Sequence, residues 1–140
     1  GQNNPLDIFK LFDLYLSDDS IYLVGGIRKK RMDNLIKIYS SKLANSFRKF
    51  ILNDKCDDTG CSLKVFDREL FLKFPFFNGI HRFLPALFNG FGKNTKFINV
   101  SHRSRNFGKS KYGTISRLIN GLIDTIRVLV IINNFRKKND

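Results

Sequence analysis

Apolar residues change period several times along the 140-residue chain. Leu6, Ile8, Phe9, Leu11, Phe12, Leu14, Tyr15 and Leu16 crowd together behind Asn4 and Pro5. Asn as a cap with Pro in the first turn is a favoured helix start. The run therefore predicts a helix, ended by Ser17-Asp18-Asp19-Ser20. Ile21-Tyr22-Leu23-Val24 predicts a short buried strand that stops at Gly25-Gly26. Four consecutive cations, Arg28-Lys29-Lys30-Arg31, follow it. Asp33 is placed to cap a helix from Asn34 to about Leu52, with Leu35, Ile36, Ile38, Tyr39, Leu43, Ala44, Phe47, Phe50 and Ile51 mostly at helical spacing. Arg48 and Lys49 fall between those positions and read as a solvated face.

The second half alternates in the same way. Asn53–Gly60 is a polar, Asp-rich loop, and Cys61–Phe66 alternates as a strand. Asp67-Arg68-Glu69 opens a short helix, and Phe71–Phe77 is an aromatic run around Pro75 that Gly79 ends. Ile80–Phe88 predicts a helix holding His81, Arg82 and Pro85, and Lys96–Val100 predicts another strand. From Ile115 the spacing is strongly helical: Ile115, Leu118, Ile119, Leu122, Ile123, Ile126, Leu129 and Val130 share one face. That stripe is either a core face or an interfacial face for anionic lipid, with the basic tail Phe135-Arg136-Lys137-Lys138 behind it. Strands alternating with helices define an α/β chain.

Charge sharpens this picture. The chain carries 25 Lys and Arg against 12 Asp and Glu, a net charge of +13. After Glu69 no carboxylate occurs until Asp124. Within that gap Ser101–Gly113 (SHRSRNFGKSKYG) places Arg103, Arg105, Lys109 and Lys111 among glycines and serines. Arginine forks and lysine point charges hold phosphate oxygens, and glycine lets backbone approach a ligand. The cations after Val24 lie where ligands bind in open α/β sheets, beyond the carboxyl ends of strands. An anionic partner follows: phosphorylated substrate, membrane surface or nucleic acid. Charge with abundant Phe and Tyr permits a nucleic-acid-binding module, but no recognisable nucleic-acid motif is present. Asp54, Asp57 and Asp58 lack EF-hand spacing. Cys56 and Cys61 are too few for a disulfide framework or a zinc site and read as reduced thiols of a cytosolic protein. No run has the length of a transmembrane helix, and the start, with Asp7 and Asp13 and no basic n-region, does not read as a signal peptide.

The segments VGGIRKKR, DDTGCSLKVF, HRFLPALF and SHRSRNFGKSKYG, in this order, resemble bacterial family 2 glycosyltransferases of the dolichol- or polyprenol-phosphate mannose synthase type. The resemblance covers nearly the whole chain. It implies the C-terminal part of a three-layer α/β/α nucleotide-diphospho-sugar transferase domain over residues 1–113. An amphipathic helix and basic tail, a membrane-interfacial element, would occupy 114–140. In that family a metal-binding Asp-x-Asp motif is followed by a residue, Gln, a polar stretch and Pro; GQNNP looks like that continuation. The implied reaction transfers a hexose from GDP-mannose or a UDP-sugar to a polyprenyl phosphate, with inversion. The implied cofactor is a divalent metal, Mg2+ or Mn2+, with most of its ligands outside this chain and Gln2 among them.

The resemblance also assigns residues. Arg105, Ser110 and Lys111 match the family's Arg-x-x-Gly-x-Ser-Lys pattern, which implies contacts to the diphosphate or the acceptor phosphate, and Arg103 lies beside them. Arg28 resembles the arginine after the Gly-rich strand end. Lys37 and Ser41 fall where the family has Arg and Ser. Lys keeps the charge there and loses the bidentate fork. Asp58, Thr59 and Gly60 resemble the loop beside the active site, where Asp58 either orients a cation or sugar hydroxyl or is a turn residue. His81 and Arg82 follow a bacterial subgroup pattern, in which His81 is either an acceptor-phosphate contact or a packed structural histidine. His102 reads as structural. The implied partners are a nucleotide-sugar donor, a polyprenyl-phosphate acceptor and an anionic membrane surface, with no nucleic acid. The implied place is peripheral, at the cytoplasmic face of the cell membrane. A non-catalytic membrane-surface adaptor is the other alternative, and it would bind lipid without preferring a nucleotide sugar.

Overall fold

A computed structural model describes residues 3–28, 35–101 and 114–139. α1 spans Asp7–Leu16. The helix thus begins two residues later than the Asn4-Pro5 start that the sequence predicts, with Leu6 at the cap position and no side-chain cap; Asn4 and Pro5 form the turn before it, Asn4 accepting from Asp7 N at 3.1 Å through its carbonyl and from Leu6 N at 3.2 Å through its side chain. β1 spans Ile21–Arg28 and runs on through the two glycines at which the sequence predicts its end. A Cβ on Gly25 would lie 3.0 Å from the Phe97 ring, and one on Gly26 2.9 Å from Val100. The glycines thus mark close approach of neighbouring side chains and leave the strand intact.

α2 spans Leu35–Leu52, close to its predicted bounds, and β2 is only Lys64–Phe66. The run from Cys61 to Leu63 leads into β2 and is tied to the sheet by Gly26 N donating to Leu63 O at 2.9 Å. α3 spans Arg68–Lys73, capped by Asp67, whose side chain accepts from Leu70 N at 2.7 Å. The helix predicted over Ile80–Phe88 divides into a 3-10 turn, Ile80–Arg82, and α4, Leu84–Gly90. Pro85 explains the break, because it lacks an N–H and its ring crowds the carbonyl four residues back. β3 spans Asn94–Val100 and α5 spans Thr114–Asn139.

The sheet order is β2-β1-β3. β2 is antiparallel to β1, with Val24 opposite Val65, and β3 is parallel to it, with Gly25 opposite Phe97 and Arg28 opposite Val100. Successive residues of β1 point to opposite faces. Val24 joins Leu11, Ile21, Cys61 and Val100 under α1. Leu23 joins Phe74, Phe77, Phe83, Leu87, Phe88, Val128 and Ile132 on the α4 and α5 side. The result is a mixed α/β arrangement in three layers. Phe74 meets Phe88 edge-on at 5.2 Å, and Phe91 stacks on Phe135 of α5 at 3.7 Å.

α5 faces the core differently from what its apolar spacing suggests. The buried residues are Asp124, Thr125, Val128 and Ile132, which share one side of the helix. Ile119, Leu122, Ile123, Ile126 and Val130 lie on the opposite side and are 46% to 60% exposed. The described part of the predicted stripe therefore points away from the core, Leu129 alone being half-buried at its margin.

Both cysteines are free and buried. Burial pushes the Cys56 thiol up to about 11 and raises that of Cys61 as well. The thiolate is the reactive form, so both are inert in the folded protein. We expect Ellman's reagent at pH 8 to label them at least about a hundredfold more slowly in the native protein than in denaturant. Full labelling of the native protein within the mixing time would contradict this burial.

A candidate active site at the carboxyl end of the sheet

The loop between α2 and β2 is short of regular structure yet largely buried. Asp54, Cys56, Asp58, Thr59 and Cys61 are all buried. Buried backbone and carboxylates need partners. Arg48, on the inner side of α2, supplies most of them. Its Nε and Nη2 donate to the two oxygens of Asp54 at 2.8 and 3.0 Å, and Nη2 also donates to Cys56 O at 2.5 Å. Nη1 donates to Asn45 Oδ1 at 2.6 Å and to Thr59 Oγ1 at 2.8 Å. The solvated face expected for Arg48 is thus corrected. It is 5% exposed because the loop consumes all five of its donors. Lys49 does sit at the surface, paired with Asp57.

The loop places Asp58 against Arg28. Arg28 Nε and Nη2 donate to the two carboxylate oxygens at 2.6 and 2.7 Å, and Arg28 N donates to Oδ2 at 3.3 Å. This fork–carboxylate pair sits at the carboxyl end of β1. Gly60 is part of it, since a Cβ there would lie 3.0 Å from Arg28 Nη2. Thr59 instead turns its hydroxyl to Arg48. Arg28 lies beside Val100 in the parallel pair, so the chain entering Ser101–Gly113 leaves from the same end of the sheet. Asp7 fixes that exit. Its carboxylate accepts from Ser101 N at 2.8 Å, Ser101 Oγ at 2.6 Å and Lys10 Nζ at 2.8 Å. Lys10 first, then Ser101, hold the Asp7 carboxyl down to about 2.

Lys64 is a residue that the sequence pattern did not single out. Its ammonium donates to Thr59 O and Cys61 O, closing the loop from the β2 side. Burial pushes it below the usual lysine range, against the opposing pull of Cys61, Cys56 and Asp58. Lys64 also lines a cleft of about 280 Å³ with Ser62, Phe66, Phe71, Ile80, His81 and Leu84. Partial desolvation, then the cations Arg82 and Lys64, push the His81 imidazole below its ordinary value, although its side chain reaches the surface. Arg82 points elsewhere. It donates to Asp124 Oδ2 of α5 at 3.2 Å, while Arg127 donates to Asp124 Oδ1 at 3.0 Å. Gly79, at φ 97°, makes room for this pair, since a Cβ there would lie 2.9 Å from Arg82 Nη2.

The structure therefore brings Arg28, Asp58 and Gly60 together, while His81 lies apart from them in the cleft that Lys64 also lines. Gln2, Arg103, Arg105, Ser110 and Lys111 lie outside the described residues, as do the side chains of Lys37 and Ser41. Among the described residues no group of three or more His, Cys, Asp or Glu is arranged to hold a metal ion. Among those residues, too, no helix is long and apolar enough to cross a membrane.

Over about nine-tenths of its length the chain is similar to part of a set of curated undecaprenyl-phosphate 4-deoxy-4-formamido-L-arabinose transferases. It is 33% identical over 125 residues to the undecaprenyl-phosphate 4-deoxy-4-formamido-L-arabinose transferase of Shewanella sediminis, covering 89% of this chain and 37% of that protein. It is 31% identical over 128 residues to the proteins of the same name from Yersinia pestis (strain Pestoides F) and Yersinia pseudotuberculosis, covering 91% of this chain and 38% of each. The chain thus spans less than two-fifths of the length of these curated relatives. No family model matches it, and no solved structure matches it.

Replacing Arg48 by alanine leaves Asp54 buried and unpaired, a loss of about 3–5 kcal/mol in stability. Urea denaturation measures it, and limited proteolysis at residues 53–60 should accelerate in parallel. Arg48→Lys should recover only a minor share, since one ammonium cannot serve Asp54, Asn45, Thr59 and Cys56 together. An Arg48→Ala protein within about 1 kcal/mol of the parent would show that the loop is held by something else.

Proposed function

We propose that the protein containing this chain transfers a glycosyl group from a nucleotide-diphospho-sugar to a polyprenyl phosphate, with inversion at the anomeric carbon. The observation that carries this reading is the Arg28–Asp58 fork at the end of β1, where the basic Ser101–Gly113 segment leaves the sheet. The names of the relatives support it, since they specify undecaprenyl phosphate as the acceptor. A phosphate oxygen of the acceptor attacks the anomeric carbon as the bond to the diphosphate breaks. The leaving nucleoside diphosphate keeps the electron pair. The attacking oxygen is already anionic at neutral pH, so no strong general base is needed. What the protein must supply is positive charge that holds two anionic groups together and stabilises the leaving diphosphate.

Arg28 supplies part of that charge, with its plane fixed by Asp58. Arg103, Arg105, Ser110 and Lys111 are the phosphate contacts of the adjoining segment, and Lys37 and Ser41 add to them from α2. Thr59 and Gly60 shape the loop, while His81 contacts the acceptor as a neutral donor or acceptor. Arg82 serves by tying α5 to the 3-10 turn. A divalent ion, Mg2+ or Mn2+, is held mainly by residues outside this chain, with Gln2 contributing a carbonyl oxygen. The work is done at the cytoplasmic face of the membrane, with the protein attached peripherally by the outer face of α5. The sugar is a hexose in our reading. The pentose derivative in the relatives' names is the alternative that a donor panel decides.

The test uses the full-length protein with undecaprenyl phosphate and a panel of GDP- and UDP-sugars, followed by lipid extraction and assignment of the product anomer. Arg28→Gln and Asp58→Asn should each lower kcat/KM by about 10²–10³, the scale seen when one oriented charge-stabilising group is lost. EDTA should abolish turnover, and Mg2+ or Mn2+ should restore it. Both variants within about threefold of the parent would remove this site from the reaction.

A further inference from the structure

We infer that α2 is a lipid-contacting element, forming with α5 a two-helix face that rests on an anionic bilayer. The inner side of α2 carries Asn45, Arg48 and Leu52 against the loop and core. Its outer side carries Tyr39, Leu43, Phe47 and Phe50, 68%, 74%, 44% and 87% exposed. These positions recur at intervals of four, four and three, so they form one stripe. α2 packs on α5, whose own outward stripe is just as bare.

Charge selects the occupant. α2 contains no acid, and the one acid of α5, Asp124, is buried between Arg82 and Arg127. Neither outer face displays a carboxylate, whereas Lys42, Arg136, Lys137 and Lys138 are exposed around them. Apart from Asp57, which is paired with Lys49, the described charges beside these apolar side chains are cations, a pattern that matches the acyl boundary and headgroups of an anionic bilayer. α1 provides the contrast. It also exposes Leu6, Ile8, Phe9, Phe12 and Leu16, but on the other face of the sheet and beside the exposed Asp13. Its surface lacks the charge pattern that marks α2 and α5.

The consequence concerns the site. Arg48 projects from the side of α2 opposite the stripe and holds the loop that carries Asp58, which in turn holds Arg28. A bilayer under α2 is therefore joined, through one helix diameter and one side chain, to the place where a lipid-borne phosphate would react. This consequence rests on the polyprenyl-phosphate reading above; lipid contact by α2 does not.

The experiment is flotation of the full-length protein with phosphatidylcholine vesicles, with and without phosphatidylglycerol. Leu43→Ser combined with Phe50→Ser should weaken binding to the anionic vesicles at least about tenfold. Phe9→Ser combined with Phe12→Ser on α1 should change it less than about twofold. As a second readout, Phe50→Trp should show blue-shifted emission, quenched by brominated lipid, after subtraction of the parent's signal, and Phe12→Trp should not. Undiminished flotation of the α2 double variant, or no quenching of F50W, overturns the inference and leaves the stripe to a protein neighbour. Transfer to detergent-dispersed undecaprenyl phosphate separates the two readings. The α2 variant retaining transfer in detergent while losing vesicles supports both. A parent protein with no transfer to any polyprenyl phosphate, whose α2 variant still loses vesicles, sinks the proposed reaction and leaves the lipid face standing.

Discussion

The Arg48 guanidinium spends every N–H it has on a single fifteen-residue stretch, from Asn45 in α2 to the start of the turn at Thr59. The stretch after Leu52 has no helix or strand to satisfy it, yet Asp54, Cys56, Asp58 and Thr59 within it are buried. Arg48 and Lys64 take over the task that a ladder of backbone hydrogen bonds performs elsewhere. Arg48 covers Asp54, Cys56 O and Thr59, and Lys64 covers the carbonyls of Thr59 and Cys61. A buried arginine and a half-buried lysine are tolerable because each sits in a set of oxygen acceptors that replaces water. The geometry suits arginine at position 48, whose five donors fan out in one plane, and suits lysine at 64, where the acceptors converge on a point.

The same loop sets where positive charge is available. Its acids are each matched to a cation: Asp54 to Arg48, Asp57 to Lys49 and Asp58 to Arg28. The loop therefore adds little net charge to the end of the sheet, and Arg28 is held rigid. The excess that gives the chain its net +13 sits mostly elsewhere in sequence, above all between Ser101 and Gly113 and in the tail. Asp7 ties the start of the Ser101–Gly113 segment to α1, because its carboxylate binds Ser101.

Much of the element order was legible because it depends on local spacing. α2, the short helix opening near Asp67 and the α/β alternation follow from neighbours within a few residues. The misses depended on distant partners. β1 passes through Gly25-Gly26 because Phe97 and Val100, over seventy positions on, close over it, and no local rule sees them. Arg48 looked like a surface cation because its partners lie in a loop without a period. The Arg28–Asp58 pair was not foreseen: thirty residues separate the two, so spacing alone could not join them. Lys64 was hidden by its ordinary place as a polar residue in an alternating strand.

α5 shows the limit most clearly. Periodicity identifies which residues share a face, but it is silent on which way that face points. The most apolar stripe of α5 would seem the natural core side, yet Val128 and Ile132 fill the core and the stripe faces outward. Asp124 decides the matter. It is on the inner side, where Arg82 and Arg127 both reach it, and Gly79 leaves space for the first of them. Rotating the stripe inward would expose Asp124 and strand Arg82 beside an apolar wall. The helix accepts the alternative, leaving large aliphatic side chains in water at about 1.5–3 kcal/mol each relative to full burial. That free energy is recovered only when a surface covers them, so the orientation that stabilises the Arg82–Asp124–Arg127 cluster is also the one that leaves α5 able to bind.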